Sequence, residues 1–161
     1  MKIKNIVNNT LNFIIKRFIE LFGLTCSIIG LLLLISFASY SPEDPNFIFP
    51  ENLEIENLLG YKGSFVSDLF LQSLGLISFL LSITLISTGL KIINSKKLFY
   101  LIKNLFYSIL YCLFGSLFFS IFYNESFWLV INGNSGFVGK FLQNSFLFNF
   151  VNLNLNIAYY I

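Results

Sequence analysis

The stretch closest to a catalytic pattern is GNSGFVGKF at 133–141. A phosphate-binding loop needs G-x-x-x-x-G-K followed by Ser or Thr, whose hydroxyl ligates magnesium. Counting back from Gly139 and Lys140, the first position holds Asn134 instead of glycine, and Phe141 stands where the hydroxyl should be. No Val/Ile-rich strand leads into it, so the segment reads as a turn before an interfacial helix. Asp68 and Glu20 are the ionisable residues within or beside apolar runs. At mid-membrane depth such groups would suggest a proton or ion path. Both fall in the first turns of their helices, where headgroups and water are near, and Lys16 stands four residues before Glu20, at pairing distance on a helix. The acids Glu43, Asp44, Glu51, Glu54 and Glu56 crowd one loop but lack the spacing of a calcium loop. Cys26 and Cys112 lie inside apolar runs, where a thiol behaves as a small hydrophobe, and no C-x-x-C pair exists. There is no histidine, the commonest general base and metal ligand. The expectation is a chain with no catalytic, cofactor-binding or metal site of its own.

The elements that would carry these residues are hydrophobic helices. Of the 161 residues 56% are hydrophobic and 11% charged, against roughly 25% charged in ordinary globular proteins. A chain so poor in charge cannot cover its surface in water, whereas lipid accepts an apolar exterior. The 21 Phe and 8 Tyr suit lipid packing and interfacial anchoring. Residues 1–17 form a basic arm with Lys2, Lys4, Lys16 and Arg17. The apolar run 18–39 is 22 residues long, too long for the core of a signal peptide and right for a span, and no A-x-A-like site ends it. Tyr40 sits at its far end, and Pro42 and Pro45 stop the helix because neither can donate a backbone hydrogen bond. A second span is expected over 65–93 with Ser64 as its N-cap, and a third over 98–123. Residues 137–150 are moderately amphipathic and suit the interface. NIAYYI turns apolar again at the end, so a fourth span is expected to start near 155 and be cut short. The fold class is all-α: a polytopic membrane helix bundle of three full spans, an interfacial helix and the start of a fourth span, with 18–161 forming the transmembrane domain.

Charge sets the orientation. The arm is basic, the first loop is acidic apart from Lys62, the second holds Lys91, Lys96, Lys97 and Lys103, and the third holds Glu125 and Lys140. The positive-inside rule then puts the N-terminus and second loop in the cytoplasm, and the other loops outside. Small residues recur at close-packing intervals: Gly23 with Ser27, Cys26 with Gly30, and Ser108, Cys112, Ser116 and Ser120 in the third span. Such stripes serve either packing within one bundle or association with a partner.

A family pattern runs through these loops. SYSPEDPN at 39–46 resembles the S-Y-x-x-x-D-P element of FtsK/SpoIIIE-type DNA translocases. NLLGYKGSFVSDLFLQSLG at 57–75 resembles their N-x-x-G-x-x-G-[AS]-x-x-A-D-x-x-x-x-x-x-G stretch, with Ser67 where Ala is usual. GNSGFVGKFL is similar to the glycine-spaced segment before their fourth helix. The resemblance covers 15–161 and implies structural or interaction roles for Tyr40, Asp44, Pro45, Asn57, Gly60, Gly63, Asp68, Gly75, Gly136 and Gly139. It further implies a septal anchor in the cytoplasmic (inner) membrane, in contact with the lipid bilayer and other division-septum membrane proteins. A hexameric ATP-driven DNA motor for chromosome segregation would follow. ATP, magnesium, homo-oligomerisation and DNA contact would belong to that motor, which is absent from these residues. The alternatives are a small transporter or channel subunit, which needs mid-depth ionisable pairs or broken helices, and a membrane scaffold without a motor.

Overall fold

A run free of proline from Lys2 to Ala38 forms one unbroken helix, α1, of 37 residues. The structure, a computed structural model, describes residues 2–45, 54–146 and 149. After α1 come α2 (Gly60–Leu74), a single 3-10 turn (Gly75–Ile77), α3 (Ser78–Ser95), α4 (Phe99–Phe122) and α5 (Gly136–Leu142). Three stretches are long and apolar enough to cross a membrane: Val7–Ala38, Gly60–Ser95 and Phe99–Phe122. The chain is a multi-pass, all-helical membrane bundle.

Three expectations change. The basic arm 1–17 is not a separate element, because α1 runs straight through it from Lys2. The span expected over 65–93 is not one helix: it breaks at Gly75, whose φ of +67° lies where a side chain is strained. Ser64 is not an N-cap, since α2 starts at Gly60 and Ser64 lies buried inside it. The fourth span expected near 155 falls outside the described residues.

The interior is made of small residues and the exterior of large ones. Gly23, Cys26, Gly30 and Phe37 line one buried stripe of α1, while Phe18, Leu21, Leu24, Ile28 and Leu31 are exposed on the rest. This is the arrangement lipid permits, because tails solvate leucine as well as another leucine does. The stripe packs on Ser82, Gly89 and Ile92 of α3, and the two helices run antiparallel: Gly23 lies beside Gly89, Gly30 beside Ser82 and Ile86, and Phe37 beside Phe79. At the basic end Glu20 bonds Lys96 Nζ at 2.9 Å and also pairs with Arg17. The expected Lys16 partner is thus replaced by a tertiary one. α4 joins α3 through a polar seam, where Asn104 Nδ2 donates to Thr88 Oγ1 at 2.6 Å and the Tyr111 hydroxyl to Thr84 Oγ1 at 3.1 Å.

Gly89 sets the closeness of α1 and α3. A Cβ there would stand 2.2 Å from Ser27 Oγ and 2.4 Å from the Gly23 carbonyl oxygen. Gly89→Leu is expected to cost about 2–3 kcal/mol by forcing the helices apart. Leu90→Ala on the lipid face is expected to change stability by less than about 0.5 kcal/mol. Reversible unfolding in detergent micelles measures both.

Candidate interaction site at one end of the bundle

Where α1 leaves the apolar phase, its last carbonyls lose their intrahelical donors. Tyr40 N–H turns back to the Phe37 carbonyl at 3.4 Å, which leaves Ser36 O open. Asn57 fills the gap: its buried Nδ2 donates to Ser36 O at 2.9 Å and Ser39 O at 3.3 Å. Its Oδ1 accepts from Leu59 N–H at 3.1 Å, and its own carbonyl accepts from Gly60 N–H at 2.8 Å, which starts α2. One side chain therefore ends the first helix and leads into the next.

Asp44 holds Asn57 in place. Its buried carboxylate accepts from Glu56 N–H at 2.8 Å and Asn57 N–H at 3.0 Å, one bond to each oxygen. The Pro45 carbonyl accepts from Ser64 Oγ at 2.8 Å. Ser36 Oγ donates to Gly63 O at 2.7 Å. A Cβ on Gly63 would sit 2.1 Å from Asn57 Oδ1, so the glycine is what lets the amide reach its place.

Tyr40 joins this latch to the rest of the end. Its hydroxyl donates to Asp68 Oδ1 at 3.1 Å and accepts from Gln72 Nε2 at 3.2 Å. Its carbonyl accepts from Trp128 Nε1 at 3.2 Å, and the two rings meet edge to face at 5.5 Å. Phe37, Tyr40, Leu71 and Leu129 form the buried cluster beneath. Burial, then the Asp68 charge, push the Tyr40 phenol up to about 12. The folded value lies above the ordinary one, so its contribution to stability is complete below about pH 10 and is lost as pH rises through about 12.

The second half of the site closes on the helix break. Leu76 N–H donates to Asn134 O at 3.0 Å, and Asn132 Nδ2 donates to Gln72 O at 3.0 Å. A Cβ on Gly75 would lie 2.0 Å from Asn134 O, and one on Gly136 would lie 2.4 Å from Gly75 N. Gly139 backs onto Ser135 and the Ser116 carbonyl. Asn134 Nδ2 donates to the Tyr123 and Glu125 carbonyls, both at 2.9 Å. The glycines of 133–141 therefore serve close packing, and Lys140 Nζ donates to the Ile131 carbonyl. Beside this joint lies an open cleft of about 520 Å³, lined by Leu76, Glu125, Ser126, Phe127, Trp128 and Asn134, with Phe127 96% exposed.

Tyr40, Asp44, Pro45, Asn57, Gly60, Gly63 and Asp68 thus lie in one hydrogen-bonded unit, and Gly75, Gly136 and Gly139 in the adjoining one. The chain matches the family model described as the 4TM region of DNA translocase FtsK/SpoIIIE over residues 15–155. The chain belongs to that family. It is also 31% identical over 87 residues to the DNA translocase FtsK of Azospirillum brasilense. That alignment takes in 53% of this chain and 14% of the relative, so the chain matches about one seventh of the relative's length. No solved structure matches the chain significantly.

Within this FtsK/SpoIIIE membrane region, the sequence alone did not single out Ser36, Trp128 or Asn132. The single tryptophan and the asparagines just after a span were the available signals. Chemically the site is a fastening. Both oxygens of Asp44 hold backbone N–H groups, and no cluster of three or more metal-binding side chains occurs among the described residues.

Asp44→Ala leaves two amides without their acceptor, that of Asn57 buried and that of Glu56 part-buried, and is expected to cost about 2–3 kcal/mol. Faster protease cleavage within 39–59 and a lower unfolding midpoint are the readouts. Tyr40→Phe is expected to lose about 1–2 kcal/mol and to remove the phenolate absorbance that rises near pH 12.

Proposed function

We propose that this chain is the membrane anchor of a DNA translocase, holding a cytoplasmic ATP-driven motor at the division septum during chromosome segregation. The family match over 15–155, on a bundle with three candidate spans, carries this reading. Charge supports a cytoplasmic N-terminus in the inner membrane. Lys16, Arg17, Lys96 and Lys97 gather at one end of the bundle, while Asp44, Glu56, Asp68 and Glu125 lie at the other with Lys62 and Lys140. Lipid is one partner, and other division-septum membrane proteins are the second. The exposed Phe127 beside its cleft offers the latter an apolar contact rimmed by Glu125 and Asn134. ATP, magnesium, subunit assembly and DNA contact belong in this reading to the motor. The role of the chain is then confinement: tethering turns a search in volume into a search on a surface and raises effective concentration.

The helix break at Gly75 is the feature that favours a transporter instead. Transport sites on broken helices lie near the midplane, with free backbone groups facing the substrate. Here the break lies level with the end of α1, and Leu76 N–H bonds Asn134 O. That geometry supports a structural corner.

The test replaces residues 1–161, in the full-length gene product, with an unrelated multi-span membrane domain. The expected result is a protein that stays in the membrane but loses enrichment at midcell. Unchanged midcell enrichment and normal chromosome segregation would overturn the proposal.

A further inference from the structure

The basic end of α1 extends beyond the described elements it packs on. The α1–α3 contact ends where Glu20 meets Lys96, yet α1 continues to Lys2. Residues 7–18 are all exposed. Seven residues are close to two helical turns, so a heptad series marks one side of the helix. Asn9, Lys16, Gly23, Gly30 and Phe37 form one series: its upper part is the α3 contact and its lower part is polar. Val7, Ile14, Leu21 and Ile28 form another, exposed and apolar throughout, and Leu11, Phe18, Thr25 and Leu32 form a third, exposed and apolar but for Thr25. The lipid-facing stripe of the span therefore continues unbroken into the overhang, opposite asparagines and a lysine.

Length sets the geometry. Thirty-seven residues span about 55 Å, against a bilayer of about 45 Å including headgroups. The surplus length at the basic end stays against the membrane only if the helix leans, as spans commonly do. A helix leaning outward from its bundle turns its bundle-facing side up toward water and its outer side down toward lipid. Those are the sides that carry Asn9, Asn12 and Lys16, and Val7, Leu11 and Ile14, respectively. Arg17 and Lys96 share the carboxylate of Glu20 at the exit point, and Lys16 and Lys97 are their neighbours in the chain.

We infer that α1 leans over so that its overhang, residues 7–17, rests obliquely against the headgroup layer of a membrane containing anionic lipid, apolar stripe toward the tails, with Lys16 and Lys97 bound to lipid phosphates. This inference rests on the spans alone and holds with or without a motor. An environment-sensitive fluorophore tests it, placed at Leu11→Cys or Asn9→Cys in full-length chain carrying Cys26→Ala and Cys112→Ala. In vesicles containing phosphatidylglycerol, the label at 11 is expected to shift to the blue and the label at 9 to stay water-exposed. Lys16→Gln and Lys97→Gln are each expected to lower the ratio of lipid-bound to free label at 11 about fivefold at low salt. A water-exposed label at 11 in these vesicles would overturn the inference. So would an equal shift in pure phosphatidylcholine, which removes the anionic partner. A blue-shifted label at 9 that fades on diluting the protein in lipid would assign the polar stripe to a second copy of the chain instead.

Discussion

The structure turns on how a helix ends at the membrane boundary. A carbonyl left open at a helix C-terminus, where water is scarce, costs several kcal/mol unless a donor is brought to it. Ser36 and Ser39 present that problem, and Asn57 answers it with one amide. Asp44 fixes Asn57, Gly63 leaves it room, and Tyr40 carries the arrangement across to Asp68, Gln72 and Trp128. The residues that carry the motif resemblance are therefore parts of a capping device that extends into a joint between helices.

That joint explains why α2 and α3 are distinct. A straight helix from Gly60 to Ser95 would be about 54 Å long, well beyond the hydrocarbon thickness of about 30 Å. Breaking at Gly75 leaves α2 at the bundle end, against the last turns of α1 and against α5, while α3 returns along α1. The corner is possible because Gly75 and Gly136 bring two backbones into contact that any side chain would separate. Motif spacing thus records backbone approach at these positions, and no chemistry is required to account for it.

Spans and fold class were legible in the sequence because they depend on composition over long windows. The third helix matched its expected bounds almost to the residue, since Lys97 and Asn124 flank an uninterrupted apolar run. What depends on distant partners was not legible. Gly75 in a hydrophobic run looks like an ordinary interior glycine until Asn134 arrives from some sixty residues on. Glu20 has Lys16 within a turn, yet its tertiary partner is Lys96. Ser64 has the residue type of an N-cap, but Asn57 and Gly60 start the helix sooner. The asparagines of the arm suggest a break in hydrophobicity, and only their confinement to one side shows why α1 continues through them. The spacing of these positions was visible in the sequence, whereas the bonds among them were not.

The unbroken backbone of α1 has a mechanical corollary. A continuous ladder of hydrogen bonds without proline is stiff along its axis, so a load applied near Lys2 reaches Tyr40 with little slack. At that far end the load divides three ways: through Asn57 into the start of α2, through Tyr40 and Asp68 into the same helix about two turns further on, and through Trp128 into the loop that follows α4. A strut whose end is bolted at three points resists being drawn out of its socket. Tension on it would move the bundle as one body instead of unravelling it helix by helix.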